Sequence, residues 1–243
     1  MKKLLCITAV ISLSLSAGLQ AQTYSGFATT IAGGADGTRQ AQGIVDISSD
    51  DLNTVVVNGV TIDATVPEIG AWPAIDDTDA VFIYGINVAQ KKFLYASKDE
   101  AFNYLKIGSY ISRITNAGQI DTVFVQGEAT PASAVPQTGT ASYEGGAVVG
   151  QIVGSGSSGA RVTTGASFDV DFGNKSLAAT IAADGTVLTN DLTFNAAIAG
   201  NGFSGTNGDF STQGQFYGPA AQELGGVFQD NSANIVGAYA GKQ

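Results

Sequence analysis

No histidine occurs in the 243 residues, and the single cysteine and single methionine are Cys6 and Met1. Without histidine there is no Ser-His-Asp or Cys-His catalytic set. One cysteine makes no intramolecular disulfide, and the usual zinc and copper ligands are missing. Basic residues are scarce, 11 Lys and Arg against 21 Asp and Glu. Such a surface repels phosphate backbones and acidic lipid, which excludes nucleic acid and acidic membrane surfaces as partners. It also opposes self-association, so a monomer is expected. The one long apolar run, Leu4 to Leu15, is broken by Thr8, Ser12 and Ser14. It falls short of the roughly 18 residues that a membrane span needs.

That run follows Lys2 and Lys3 and precedes Ala17-Gly18-Leu19-Gln20-Ala21. A basic start, an apolar centre and a small-residue end predict a signal peptide over residues 1–21, cleaved after Ala21. A lipoprotein signal needs cysteine at the cleavage point, and none lies between 17 and 22. The expectation is a secreted or surface-exposed protein that is not lipid-anchored and has no membrane span. Losing Lys2 and Lys3 leaves 9 basic against 21 acidic residues, a net charge of −12.

What the chain does have is glycine, 32 residues of it, together with Thr, Val and turn signals at short intervals. Those features predict an all-β chain of short strands. Residues 131–138, with Pro131 and Pro136 and no periodicity, read as a linker. Beyond it, eight strand candidates fall at 139–144, 146–153, 162–172, 176–183, 186–198, 202–205, 209–217 and 223–239, the last splitting near Asp230-Asn231. In Ser167 to Phe172 the residues Phe168, Val170 and Phe172 share one face and Asp169 and Asp171 the other. Asp184-Gly185 is expected to make a two-residue hairpin turn, and Gly225-Gly226 a bulge or tight bend. Pro219 marks a turn. An eight-stranded antiparallel barrel fits this half, since closure leaves no open edge.

Residues 22–130 are β-rich but less regular. Thr54 to Ile62 is a hairpin around Asn58-Gly59, and Ala80 to Val88 is a buried strand. Ser97-Lys98-Asp99-Glu100 has capping-box spacing, so either a short helix through Leu105 or a turn into a strand follows. Tyr110–Ile114 and Asp121–Val125 read as paired strands about Asn116-Ala117-Gly118. Three further patterns are discounted. Gly154 to Gly159 spells GxGxxG, but no helix follows. Asp76-Asp77-Thr78-Asp79 lacks the rest of a calcium loop, and Asp46, Asp50 and Asp51 read as solvated surface. No carboxylate pair is selected for glycosidase chemistry, so no enzyme is expected.

The C-terminal run Gly214-Gln215-Phe216-Tyr217-Gly218-Pro219-Ala220-Ala221-Gln222-Glu223-Leu224-Gly225-Gly226-Val227-Phe228, followed by Ile235 to Gln243, has the pattern GxFYGPxAxELGGxF then VGAYxGK. With Gly139-Thr140-Ala141-Ser142-Tyr143, it resembles the barrel of transferrin-binding protein B. It is also similar to that barrel's smaller relatives, the hemophilins and other cargo of the Slam outer-membrane translocators. The resemblance implies an eight-stranded C-terminal barrel behind a smaller, handle-like N-terminal domain at 22–130. It further implies a binding protein of a Gram-negative bacterium, exported through a Slam-type translocator and, in hemophilins, delivering haem to a TonB-dependent receptor. Tyr143, Phe216, Tyr217, Gly218, Pro219, Glu223, Gly225, Gly226, Phe228 and Tyr239 form its barrel signature and are expected to be structural.

Ligand candidates lie in the N-terminal half, where Trp72, Phe82, Tyr84, Phe93, Tyr95, Phe102, Tyr104 and Tyr110 cluster. Most should be core. Hemophilins hold haem iron through histidine, which this chain lacks, but a Tyr phenolate also ligates haem. Tyr84, Tyr95, Tyr104 and Tyr110 are the candidates, with Lys91 and Lys92 beside Phe93-Leu94-Tyr95 available for haem propionates. The alternative is a module that binds a host iron carrier or complement regulator through aromatic contact area.

Overall fold

The structure is a computed structural model that describes residues 22–33, 38–65, 74–76, 81–87, 92–113, 120–154 and 159–243. The proposed signal peptide, Trp72, Asp77 to Asp79, Lys91, Asn116 to Gly118 and Ser155 to Ser158 lie outside these residues.

The first nine strands are β1 (Tyr24–Gly33), β2 (Arg39–Ser49), β3 (Thr54–Val57), β4 (Val60–Asp63), β5 (Ala74–Asp76), β6 (Phe82–Asn87), β7 (Lys92–Ser97), β8 (Leu105–Ser112) and β9 (Ile120–Gly127). After a single 3-10 turn, Ala132–Ala134, come β10 (Thr140–Gln151), β11 (Arg161–Asp171), β12 (Ser176–Ile181), β13 (Leu192–Ala199), β14 (Gly202–Asn207), β15 (Phe210–Tyr217), β16 (Glu223–Asp230) and β17 (Ile235–Lys242). Strands β10 to β17 close an antiparallel barrel in sequence order. The remainder forms a seven-stranded handle sheet, ordered β2-β1-β9-β8-β7-β6-β5, and the β3–β4 hairpin.

Side-chain alternation explains how these layers stack. In the barrel, Val149, Phe216, Phe228 and Tyr239 point inward. Their neighbours Val148, Tyr217, Val227, Ala238 and Ala240 point outward into a second cluster, with Leu105, Ile107, Val123 and Val125 of the handle. The other face of the handle sheet, with Leu94, Tyr110 and Phe124, packs under Val55, Val57 and Ile62 of the hairpin. β8 and β9 are therefore buried at every residue. The barrel interior is filled by aromatic rings such as Phe168–Tyr239 at 5.4 Å and Phe194–Phe210 at 5.2 Å, as expected for eight strands. It is a packed core, so a ligand must be sought outside it.

Several local expectations hold. Asn58 and Gly59 both have positive φ, 50° and 76°, and join β3 to β4 as a two-residue turn. β8 and β9 pair antiparallel, and Pro219 lies in the turn between β15 and β16.

Others are corrected. Residues 139–144 and 146–153 are one strand, β10, because Gly145-Gly146 continues the ladder to both neighbours. Asp184-Gly185 makes no two-residue hairpin: β12 ends at Ile181 and β13 begins at Leu192. The loop between them is organised by the Asp184 carboxylate. Partial burial acts to raise its pKa, but donors from the Thr186 hydroxyl and the Leu188, Val187 and Thr186 amides outweigh that and hold it at about 2. Of the two readings after Ser97, the turn into a strand holds and the helix does not: the Ser97 hydroxyl accepts from Ile107 N across to the next strand instead of capping. The chain turns at 99–101 and enters β8. Gly225-Gly226 makes no bulge, since β16 runs in unbroken register with β15 and β17. In the 131–138 segment, Val135 is buried in the barrel core.

Candidate ligand cavity at the handle–barrel seam

Register decides which aromatics meet. Tyr84 lies opposite Tyr95, and Tyr95 opposite Ser109. Residues directly opposite share a face, and this face turns toward the barrel, where Tyr95 joins the seam cluster. The two tyrosine rings are 4.6 Å apart at 32°. Tyr110 lies opposite Leu94 and is buried on the other face, beneath the hairpin. Lys92, opposite Ser112, shares that other face by strand parity. Tyr104 is at the turn before β8, its ring beside Gly218, where an added Cβ would sit 2.6 Å from the ring. Of the four candidate tyrosines, only Tyr84 and Tyr95 come together.

They wall a cavity of about 270 Å³ between the handle and the start of β11, with Phe93, Ile111, Arg113 and Arg161. Among the described residues no carboxylate lines it. Arg161 is rigidly placed. Its Nε donates to Ser109 Oγ at 3.0 Å, its Nη2 donates to Asp121 Oδ1, and its carbonyl accepts from the Tyr95 hydroxyl at 3.4 Å. Arg39 Nη2 donates to the second Asp121 oxygen at 3.0 Å. Burial pushes the Arg161 guanidinium pKa down, against the opposing pull of Asp121; a guanidinium nonetheless stays charged. Burial also raises the phenol pKa of Tyr84, and that of Tyr110, where a hydrogen bond with Ser112 works the other way.

The barrel signature divides into two jobs. Tyr143, Phe216, Phe228 and Tyr239 are core; the Tyr143 hydroxyl donates to Ala221 O at 2.7 Å. Tyr217, Glu223 and Gly225 instead seat the handle. The buried Glu223 carboxylate accepts from the Asn103 and Tyr104 amides at 2.6 and 2.9 Å. Burial raises its pKa, partly offset by these amides. Gly218, at φ 81°, takes a left-handed turn conformation that favours glycine; its amide donates to Glu128 O and Tyr104 O accepts from Glu128 N.

Sequence reasoning missed Arg39, Arg113, Arg161 and Asp121. The available signal was scarcity: Arg39, Arg113 and Arg161 are the only three arginines in an acidic chain. Among the described residues no cluster of Asp and Glu is placed to hold a metal ion, and no helix is long and apolar enough to cross a membrane.

A handle sheet clamped on a filled antiparallel barrel, with its cavity at the seam, defines a binding scaffold. Residues 135–243 match the family model described as the C-lobe and N-lobe β-barrels of transferrin-binding protein B. An uncharacterized protein of Haemophilus influenzae is 32% identical over 214 residues, covering 82% of this chain and 69% of that protein. Transferrin-binding protein B of Moraxella catarrhalis is 31% identical over 214 residues, covering 74% of this chain. The present chain spans only 29% of that relative's length. Among solved structures, that of HpuA from Kingella denitrificans in complex with human haemoglobin superposes with a TM-score of 0.51 at 14% identity, covering 94% of this chain and 89% of the other. The chain belongs to the transferrin-binding protein B-like β-barrel family, a family of binding proteins and not of enzymes.

Proposed function

We propose that this protein is an exported binding protein of a Gram-negative bacterium that captures an iron-bearing ligand from a host, with haem as the leading ligand. The observation that carries this is the Tyr84–Tyr95 pair, set 4.6 Å apart beside Arg113 and Arg161. A phenolate is an established haem ligand where histidine is absent. The raised pKa of Tyr84 keeps its phenol protonated at neutral pH, so ligation of ferric iron releases one proton, and the neighbouring guanidiniums favour the phenolate formed. Arginine takes the place first given to Lys91 and Lys92 as the partner for propionates. Export through a Slam-type translocator, delivery to a TonB-dependent receptor, and release without a lipid anchor complete the reading.

A second reading is favoured by the cavity's size. At about 270 Å³ it lies below the usual range for drug-sized ligands, which begins at roughly 300 Å³, and so suits an inserted side chain of a host protein. The names of the relatives support this, one being called transferrin-binding and another solved with haemoglobin. Titration of the purified protein with hemin separates the two. A high-spin Soret band at micromolar hemin, lost in Tyr84→Phe or Tyr95→Phe, is expected for haem. No spectral change at that concentration transfers the assignment to a protein partner.

A further inference from the structure

We infer that the outer edge of β2 is a docking site for an extended basic segment of a partner protein, which adds to the handle sheet as a further strand. β2 is the first strand of that sheet, and among the described residues no strand pairs with its outer side. Unpaired edges recruit extended peptides through main-chain hydrogen bonds. Part of this edge is already closed. The Ala41 and Gly43 amides donate to Asn231 Oδ1 and Gln229 Oε1 of the barrel, at 2.9 and 3.1 Å. From residue 44 to 48, no hydrogen bond among the described residues reaches the outer side. That open stretch is about as long as an ordinary strand.

Beside the open stretch, a groove of about 290 Å³ lies between the handle and the barrel wall. Its floor is the outer face of β13 and β14, with Ala197, Ala199, Gly202 and Ser204, side chains too small to hold a second backbone off. Phe27 and Asp46 form the facing wall, directly opposite each other on β1 and β2. Asp46 is exposed and is the one charged group among the described lining residues. Among the described residues its carboxylate has no ion-pair partner. A lysine or arginine entering the groove pairs with it and lays its aliphatic stem over the Phe27 ring. Val45, opposite Ala28, turns to the other face and is 42% exposed. An added strand covers Val45 with every second side chain, so the sequence that fits alternates basic and apolar residues. A second copy fits badly. β2 paired with itself about residue 46 sets the two Asp46 carboxylates together, and like charges directly opposite are destabilising. The expected net charge of −12 draws a basic partner from longer range as well. This groove shares no lining residue with the Tyr84–Tyr95 cavity, so it does not depend on the ligand taken there.

The test uses the intact protein and two capped peptides of the same length, one alternating Lys and Val, the other Glu and Val. Isothermal titration should show the basic peptide binding about tenfold tighter than the acidic one. Asp46→Asn should cut that ratio to about threefold, since an exposed ion pair contributes little by itself. Ala197→Phe, which fills the groove from an exposed position, should abolish binding of the basic peptide. Thr193→Phe, exposed on the same strand but outside the groove, should leave it unchanged. Amide hydrogen exchange should slow within residues 44–48 when the basic peptide binds, and stay as it was in β12. No binding of the basic peptide at millimolar concentration, or binding without slower exchange at 44–48, overturns the assignment. A dimer that forms with rising protein concentration and slows the same amides would give the edge to a second copy and overturn it as well.

Discussion

Tyr143 and Tyr217 show how position along an alternating strand decides what a hydroxyl is worth. Both are fully buried. Tyr143 points into the barrel, where its hydroxyl donates to Ala221 O and accepts from the Gln243 side chain at 2.9 Å. Tyr217 points out into the seam, and its hydroxyl meets no hydrogen-bond partner among the described residues. Burial pushes that phenol's pKa up; Gln215 pulls it back, but the Gln215 amide nitrogen is committed to Ser25. A satisfied buried hydroxyl contributes about 0.5–1.5 kcal/mol, whereas an unsatisfied one costs its desolvation. Tyr143→Phe should therefore lower stability by about 1 kcal/mol, and Tyr217→Phe should leave it unchanged or raise it. Urea denaturation of the two variants measures this. An equal loss in both would show that Tyr217 has a partner after all.

At the level of elements, the seam is made by strands that are apolar on both faces, and one glycine sets how closely they approach. A Cβ added at Gly225 would stand 2.9 Å from Val125 Cγ2 and 3.3 Å from Leu105 Cδ2. Gly225→Val should push β8 and β9 off the barrel wall at about 1–3 kcal/mol, the usual cost of overpacking. Amide hydrogen exchange should quicken in β8, β9 and β16 while β11 to β13 stay protected. Unchanged exchange at the seam would mean that the handle does not rest on Gly225. The same geometry explains what could be read from sequence. Strands with one solvent face, such as β11, alternate visibly, and Asn58-Gly59 announces its turn chemically. β16 and β17 are covered on both sides, so their pattern carries no parity, and Gly225-Gly226 looks like a bend when it is a contact. The site was legible only as a crowd of aromatics. Which tyrosines meet depends on the β6-β7-β8 register, and Arg161 reaches Asp121 across forty positions of chain. Neither is encoded locally.

For the whole molecule, the question is whether handle and barrel are separate folding units. The handle's two central strands are covered on one face by the barrel itself, so without it their apolar side chains would meet water. Polar pins cross the same seam: Gln215 to Ser25, Thr29 to Gln229, Asn103 to Glu223, and the Arg39–Asp121–Arg161 triad. Segment 128–130 is bonded to both bodies, Glu128 N to Tyr104 O and Thr130 N to Phe216 O. An interface this continuous should make the two melt together, as one cooperative transition. Asp121→Asn tests the coupling where it is strongest. It leaves two buried guanidiniums facing a neutral amide, and breaking a buried pair in this way costs about 3–5 kcal/mol. In a chain of this size that corresponds to a fall in Tm of roughly 6–20 °C. Scanning calorimetry should show a single peak in both proteins, shifted down in the variant, with calorimetric and van't Hoff enthalpies equal. Two peaks in the unaltered protein, or a variant in which the handle melts while the barrel peak stays in place, would show that the seam joins two independent domains.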